Sequence, residues 1–237
     1  MREYFLDIPT IIIGVIIYII IAKLSLTKYL SSKEKVLIFF IIEIFGLIYD
    51  GFIILIGFAL SEGVLIFCNQ LRFILHGLLV PLLILFSAYA LKFPLKIYYL
   101  NIIITIVLSI FGIILGIITK LKVVDSGVLK RCTFADDISL FIETSFMIMN
   151  IGTVIYMIIA GIILLIKNKE YFIFLAGLFM LIFSAIGPVV KNPNINYLLS
   201  MYGEVLMVIF LYLYFRKIDV EKIGKKKNFE MEEDKID

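Results

Sequence analysis

The sequence predicts an all-α, polytopic membrane protein built as a seven-transmembrane-helix bundle, and three observations carry that prediction. Hydrophobic residues make up 62% of the 237-residue chain, charged residues only 17%, and the mean hydropathy is +1.11. A soluble core of this length could not hide so much apolar surface, so most of the solvent must be lipid. Seven apolar runs reach the roughly 20 residues that a bilayer demands, at 8–27, 36–60, 64–91, 95–119, 138–166, 171–190 and 195–215. The turns between them are short and polar, as at Ser61-Glu62-Gly63, Phe93-Pro94, Asn168-Lys169-Glu170 and Asn192-Pro193-Asn194. Consecutive helices are therefore expected to be antiparallel neighbours.

The first run is longer than the apolar region of a signal peptide and is followed by Lys23, Lys28, Lys33 and Lys35 rather than by a small-residue cleavage site. It reads as a retained helix. The fourth run carries Asn101, Thr105, Ser109, Gly112 and Gly116 on one face, where small residues let helices approach closely in lipid. Packing, not chemistry, is the expectation there. Residues 120–137 form the longest connection and hold Cys132, on the same side of the membrane as Cys68 at the start of the third run. A disulfide would hold that loop over the bundle as a lid, but two free thiols are the expected state. Beyond Phe215, Lys225-Lys226-Lys227 precede Glu230, Glu232, Glu233 and Asp234. The segment 216–237 is expected to be a disordered cytoplasmic tail, its lysines acting as a topology determinant near anionic headgroups.

Orientation follows from the Lys and Arg distribution. With the N-terminus outside, the inner segments hold fifteen cations and the outer ones six, with Arg72 inside the membrane. That split predicts the N-terminus outside and the C-terminus inside the cell membrane. The 120–137 loop is the dissenting segment, since it carries Lys120, Lys122, Lys130 and Arg131, partly offset by Asp125, Asp136 and Asp137.

An ionisable side chain within a span costs several kcal/mol unless it is paired, hydrated or neutralised. Helical rise places Asp50, Arg72, His76, Glu143 and Glu204 at a shared depth in the outer half. They also share faces: Asn69, Arg72 and His76 stand at i, i+3 and i+7, as do Tyr197, Ser200 and Glu204, while Asp136, Glu143 and Asn150 are spaced by sevens. These faces should converge on one interior pocket. Glu43, on a stripe with Gly46, Asp50 and Gly57, reads as a separate residue nearer the cytoplasm, snorkelling or pairing with a lysine of the first loop. The structural alternative is an ion pair of Arg72 with Asp50 or Glu204 that fixes helix register. It leaves an excess of carboxylate, which a low-dielectric interior rejects unless a proton, a cation or a cationic ligand group neutralises it.

The functional expectation is an intramembrane enzyme acting on a lipid or isoprenoid. Asp50, Glu143, Glu204 and His76 are the candidate catalytic residues for acid–base chemistry, and Arg72, Asn69, Asn150, Tyr197 and Ser200 the candidate substrate-binding ones. No serine has an identifiable adjacent base, so acyl-enzyme chemistry is disfavoured. A lone His76 without ligand spacing predicts no metal site. Membrane lipids are the expected partners and nucleic acid is not; the sequence names no cofactor and no oligomeric state. A proton- or cation-coupled transporter and a ligand-binding membrane sensor are the competing classes. Retinal proteins need a lysine midway along the last helix, and none lies between Lys191 and Arg216; zinc-dependent seven-helix hydrolases need several histidines. In size, helix number and buried carboxylates the chain is similar to small integral-membrane terpene cyclases, a resemblance of architecture alone.

Overall fold

The structure, a computed structural model, describes residues 7–126, 129–186 and 198–217. Its elements are α1 (Asp7–Ser32), α2 (Val36–Ile56), α3 (Glu62–Leu79), α4 (Leu82–Ala90), α5 (Leu95–Ile118), β1 (Leu121–Ser126), β2 (Leu129–Phe134), α6 (Leu140–Asn168), α7 (Phe172–Ile186) and α8 (Leu198–Lys217). Among the described residues six helical segments are long and apolar enough to cross a membrane: α1, α2 with its terminal 3-10 turn, α3 continued by α4, α5, α6 and α8. The chain is thus a multi-pass helical membrane protein. Among the described residues α7 has 15 residues, about 22 Å at the helical rise, against the ~30 Å of a hydrocarbon core. The expected continuation of this helix to residue 190, with Gly187 and Pro188, lies outside the described residues, as do Tyr197 and the 218–237 part of the tail.

Two expectations are corrected. The third run is not one unbroken helix, because Pro81 separates α3 from α4. Proline lacks an N–H, and its ring crowds the carbonyl four residues back, here that of Gly77. Around the break Leu83 N–H donates to the Val80 carbonyl at 3.2 Å and Ile84 N–H to the Pro81 carbonyl at 3.0 Å. The 120–137 connection, read as a loop, contains an antiparallel hairpin whose register runs from Leu121–Phe134 to Ser126–Leu129. Leu129 packs with Ile11, Ile54 and Met201, and Phe134 lies 5.2 Å from the Phe73 ring and 6.0 Å from the Phe146 ring. The hairpin therefore lies across one end of the bundle.

The opposite end gathers the short turns. Lys28 Nζ donates to the Arg216 carbonyl at 2.8 Å, Tyr89 Oη donates to Glu34 Oε2 at 3.0 Å, and Lys217 pairs with Glu170 at 3.1 Å. Three chain reversals at this end pass through a left-handed residue, and each is a lysine: Lys33 (φ 57°), Lys92 (φ 51°) and Lys169 (φ 56°). At the last, Lys169 N–H donates to the Leu165 carbonyl at 3.2 Å and Glu170 N–H to the Leu164 carbonyl at 3.3 Å. The first of these is the 5→1 bond of an αL cap, in which glycine is the usual left-handed residue.

Inside this end, Phe40 packs on Phe86 and Phe215 at ring distances of 5.9 and 5.1 Å, and Tyr18, Leu37 and Ile44 surround them in the same buried cluster. The polar face of α5 is a packing face, as expected. Gly112 meets Gly77 of α3 so closely that a Cβ on either would collide with the other's carbonyl. Ser109 Oγ donates to the Leu78 carbonyl at 2.8 Å, and Asn101 Oδ1 accepts from Tyr156 Oη at 2.7 Å.

Candidate functional site

The interior polar groups are set by four helices. On α2 and α3, Asp50 and Arg72 form an ion pair through Oδ1 and Nε. Arg72 is held from its own helix by Asn69, whose Oδ1 accepts from Nη1 at 3.4 Å while its amide nitrogen donates to the Leu65 carbonyl at 2.9 Å. The guanidinium also stands 5.6 Å from the centre of the Phe73 ring. Between the same two helices Tyr49 Oη donates to the Cys68 carbonyl at 2.9 Å. The pair thus sits in a rigid α2–α3 seam, which the i, i+3 spacing of Asn69 and Arg72 makes possible.

Two connected cavities open beside that seam. The wider, about 580 Å³, is lined by Asp50, Arg72, His76, Glu143, Asn150, Ser200 and Glu204 together with Phe73, Phe134, Phe146 and Ser184. The narrower, about 50 Å³, shares Asp50, Arg72, His76, Asn150 and Glu204 and adds Glu43, Leu79 and Leu83. Glu204, with Ser200 as its hydrogen-bonding neighbour, faces both. Beyond Glu43 the Phe40, Phe86 and Phe215 cluster closes the space.

Most sequence-predicted residues therefore meet, but not all as expected. Asn69 is fully buried and acts through Arg72 rather than on the cavity wall. Glu143 is not at the depth of the others: it lies in the first turn of α6, exposed, at the wide cavity's rim. Asp136 does not share its helical face, because α6 begins only at Leu140; Asp136 pairs instead with Lys122 beside the hairpin. Glu43 was expected to snorkel away from the cluster. It is instead 4% exposed and lines the inner cavity, with Oε2 lacking a hydrogen-bond partner. The signal for it was present, since Glu43 precedes Asp50 by seven residues and so shares its face. Phe134 and Ser184 were not foreseen, because neither the hairpin nor the inward face of α7 has a distinctive pattern.

Cys68 and Cys132 are free thiols. Cys132 is buried in the hairpin, and burial pushes its thiol up from the ordinary range, with Arg72 opposing the shift. Outside the bundle Lys120 pairs with Asp137 and holds that exposed carboxyl below the usual range. Among the described residues no group of three His, Cys, Asp or Glu side chains is placed to hold a metal ion.

One wall of the wide cavity is decisive for what can reach it. Met147 and Ile151 of α6 line the cavity and are 53% and 41% exposed, on a surface where Ile148, Ile155 and Ile159 are exposed too. Met147 and Ile151 thus join the cavity lining to the exposed apolar face of α6. The chain matches no protein-family model, and no curated protein is significantly similar to it.

Proposed function

We propose that this chain is an intramembrane enzyme that draws a lipid or isoprenoid sideways from the bilayer and acts on it by carboxyl acid–base chemistry. The observation that carries the reading is the shared wall at Met147 and Ile151, which lets an apolar molecule pass from lipid to Glu204 without crossing water. A volume of about 580 Å³ falls within the range of small-molecule sites. Three candidate carboxylates reduce to one by position. Asp50 is committed to Arg72 and Glu143 sits at the exposed rim, so Glu204, between the two cavities and beside Ser200, is the proton-transferring group. His76 and Asn150, on the same wall, orient the reacting end.

The same reading includes seven crossings of the cell membrane, the expected 171–190 run among them, and a cavity in the outer half of the bilayer. It places the hairpin outside and the charged tail in the cytoplasm, in line with the fifteen to six division of cations. A transporter would need a route past Glu43, where the buried Phe40, Phe86 and Phe215 rings fill the interior. The test is Glu204→Gln, compared with wild type for detergent-solubilised yield and for cellular lipid composition. Normal yield with an altered lipid profile is expected. An unchanged profile would remove the acid–base role, and loss of proton or ion flux in liposomes would replace the enzyme with a transporter.

A further inference from the structure

The innermost cavity brings two carboxyl groups together. Asp50 is paired with Arg72, which also attracts Glu204, and Glu43 faces Glu204 across the same space, close enough to feel its charge. Glu43 is also 4% exposed, and its Oε2, on the wall of the inner cavity, accepts no hydrogen bond. A buried carboxylate oxygen without a partner costs roughly 1–3 kcal/mol or more. The space before it, about 50 Å³, admits a group the size of an ammonium and little else. Outward from it the cavity widens between Phe73, Phe134, Phe146, Met147 and Ile151, with Glu143, Ser184 and Ser200 among the polar residues of that wider lining.

We infer that the inner end of the cavity is a subsite for a protonated primary amine, seated between Glu43 and Glu204, and that the molecule taken up is an amphiphile whose amine head enters first. A primary ammonium brings what Glu43 Oε2 lacks, N–H donors, on a cation that can reach Glu43 and Glu204 together. Its apolar chain then lies in the wide cavity and leaves through the α6 wall into lipid. The inference rests on the lipid-site reading above and names the head group of that ligand.

The experiment measures the thermal midpoint of the purified full-length chain in nanodiscs, titrated with dodecylamine, dodecanol, dodecyltrimethylammonium and, separately, sodium and potassium chloride. Dodecylamine should raise the midpoint in the concentration-dependent way of a ligand that binds only the folded state, dodecanol and the salts should not, and the trimethyl compound, which lacks N–H donors, should bind more weakly. Glu43→Gln should weaken dodecylamine by about ten- to a hundredfold, the scale of one charge-assisted hydrogen bond. If that variant does not fold, the wild type decides: dodecylamine, but not dodecanol, should protect Glu43 from modification by dicyclohexylcarbodiimide, read by mass spectrometry. Equal effects of amine and alcohol, a shift produced by the salts alone, or undiminished affinity in Glu43→Gln would each overturn the subsite. Binding and turnover separate the two readings. Amine binding without activity sinks only the enzyme, and activity indifferent to the amine sinks only the subsite.

Discussion

Replacing Arg72 with alanine should destabilise the protein by about 3–5 kcal/mol, because it strands Asp50 as an unpaired carboxylate in the interior. The expected readout is a sharp loss of solubilised, monodisperse protein, and an Asp50→Asn change introduced with it should recover part of the yield. Stability equal to wild type in Arg72→Ala would mean the pair is solvated. Outside the bundle, Asp137 offers a pH test. Lys120 holds its carboxyl below the ordinary range, so the folded hairpin binds that proton less readily than the unfolded segment does. Its contribution is present above the unfolded pKa and is lost as pH falls through the folded one. Amide exchange in β1 and β2 should therefore rise below about pH 4, and Lys120→Ala should flatten that rise.

At the scale of elements, the α3–α5 contact is where the smallest change should have the largest effect. Gly112→Ala forces a methyl against the Gly77 carbonyl, which is backbone and cannot turn aside; overpacking of this kind costs about 1–3 kcal/mol. A lowered thermal midpoint is expected, and an unchanged one would mean the two helices slide apart freely. The glycines of α5 were legible in the sequence because a periodic small-residue face has one obvious use in lipid. The kink at Pro81 was also legible in principle, yet an unbroken apolar run from 64 to 91 conceals a proline that hydropathy does not penalise. The hairpin was not legible. Its strands, Leu121–Ser126 and Leu129–Phe134, alternate poorly and carry three cations, and their stability comes from tertiary contacts of Leu129 and Phe134 that no local pattern reveals.

For the whole molecule, charge bias along the chain and packing in space agree on which turns lie together. Lys28, Glu34, Tyr89, Glu170 and Lys217 meet at one end through the contacts described, and these are the segments assigned to the cytoplasm. Cysteine labelling should therefore reach residue 230 only from inside and residue 128 only from outside; an externally labelled tail would invert the protein. The convergence of Asp50, Arg72, His76 and Glu204 was readable from helical spacing and rise, since each residue is costly alone in lipid. The place of Glu43 was signalled by its seven-residue spacing from Asp50, but that of Glu143 was not. Depth counted along isolated helices ignores where each helix starts, and α6 begins only three residues before Glu143.

The left-handed lysines bear on how the protein is made rather than on how long it lasts. A side chain in that conformation costs about 1–2 kcal/mol relative to the right-handed form, and glycine would relieve it at Lys33, Lys92 and Lys169 alike. Yet each of these residues is also a positive charge at the end of a span, read by the insertion machinery before any tertiary structure exists. The triple glycine variant should accordingly give a folded fraction with a higher thermal midpoint and, at the same time, a subpopulation threaded in reverse, with its tail open to protease added outside the cell. Under the proposed orientation, delivery in one direction and resistance to unfolding pull these three positions in opposite directions.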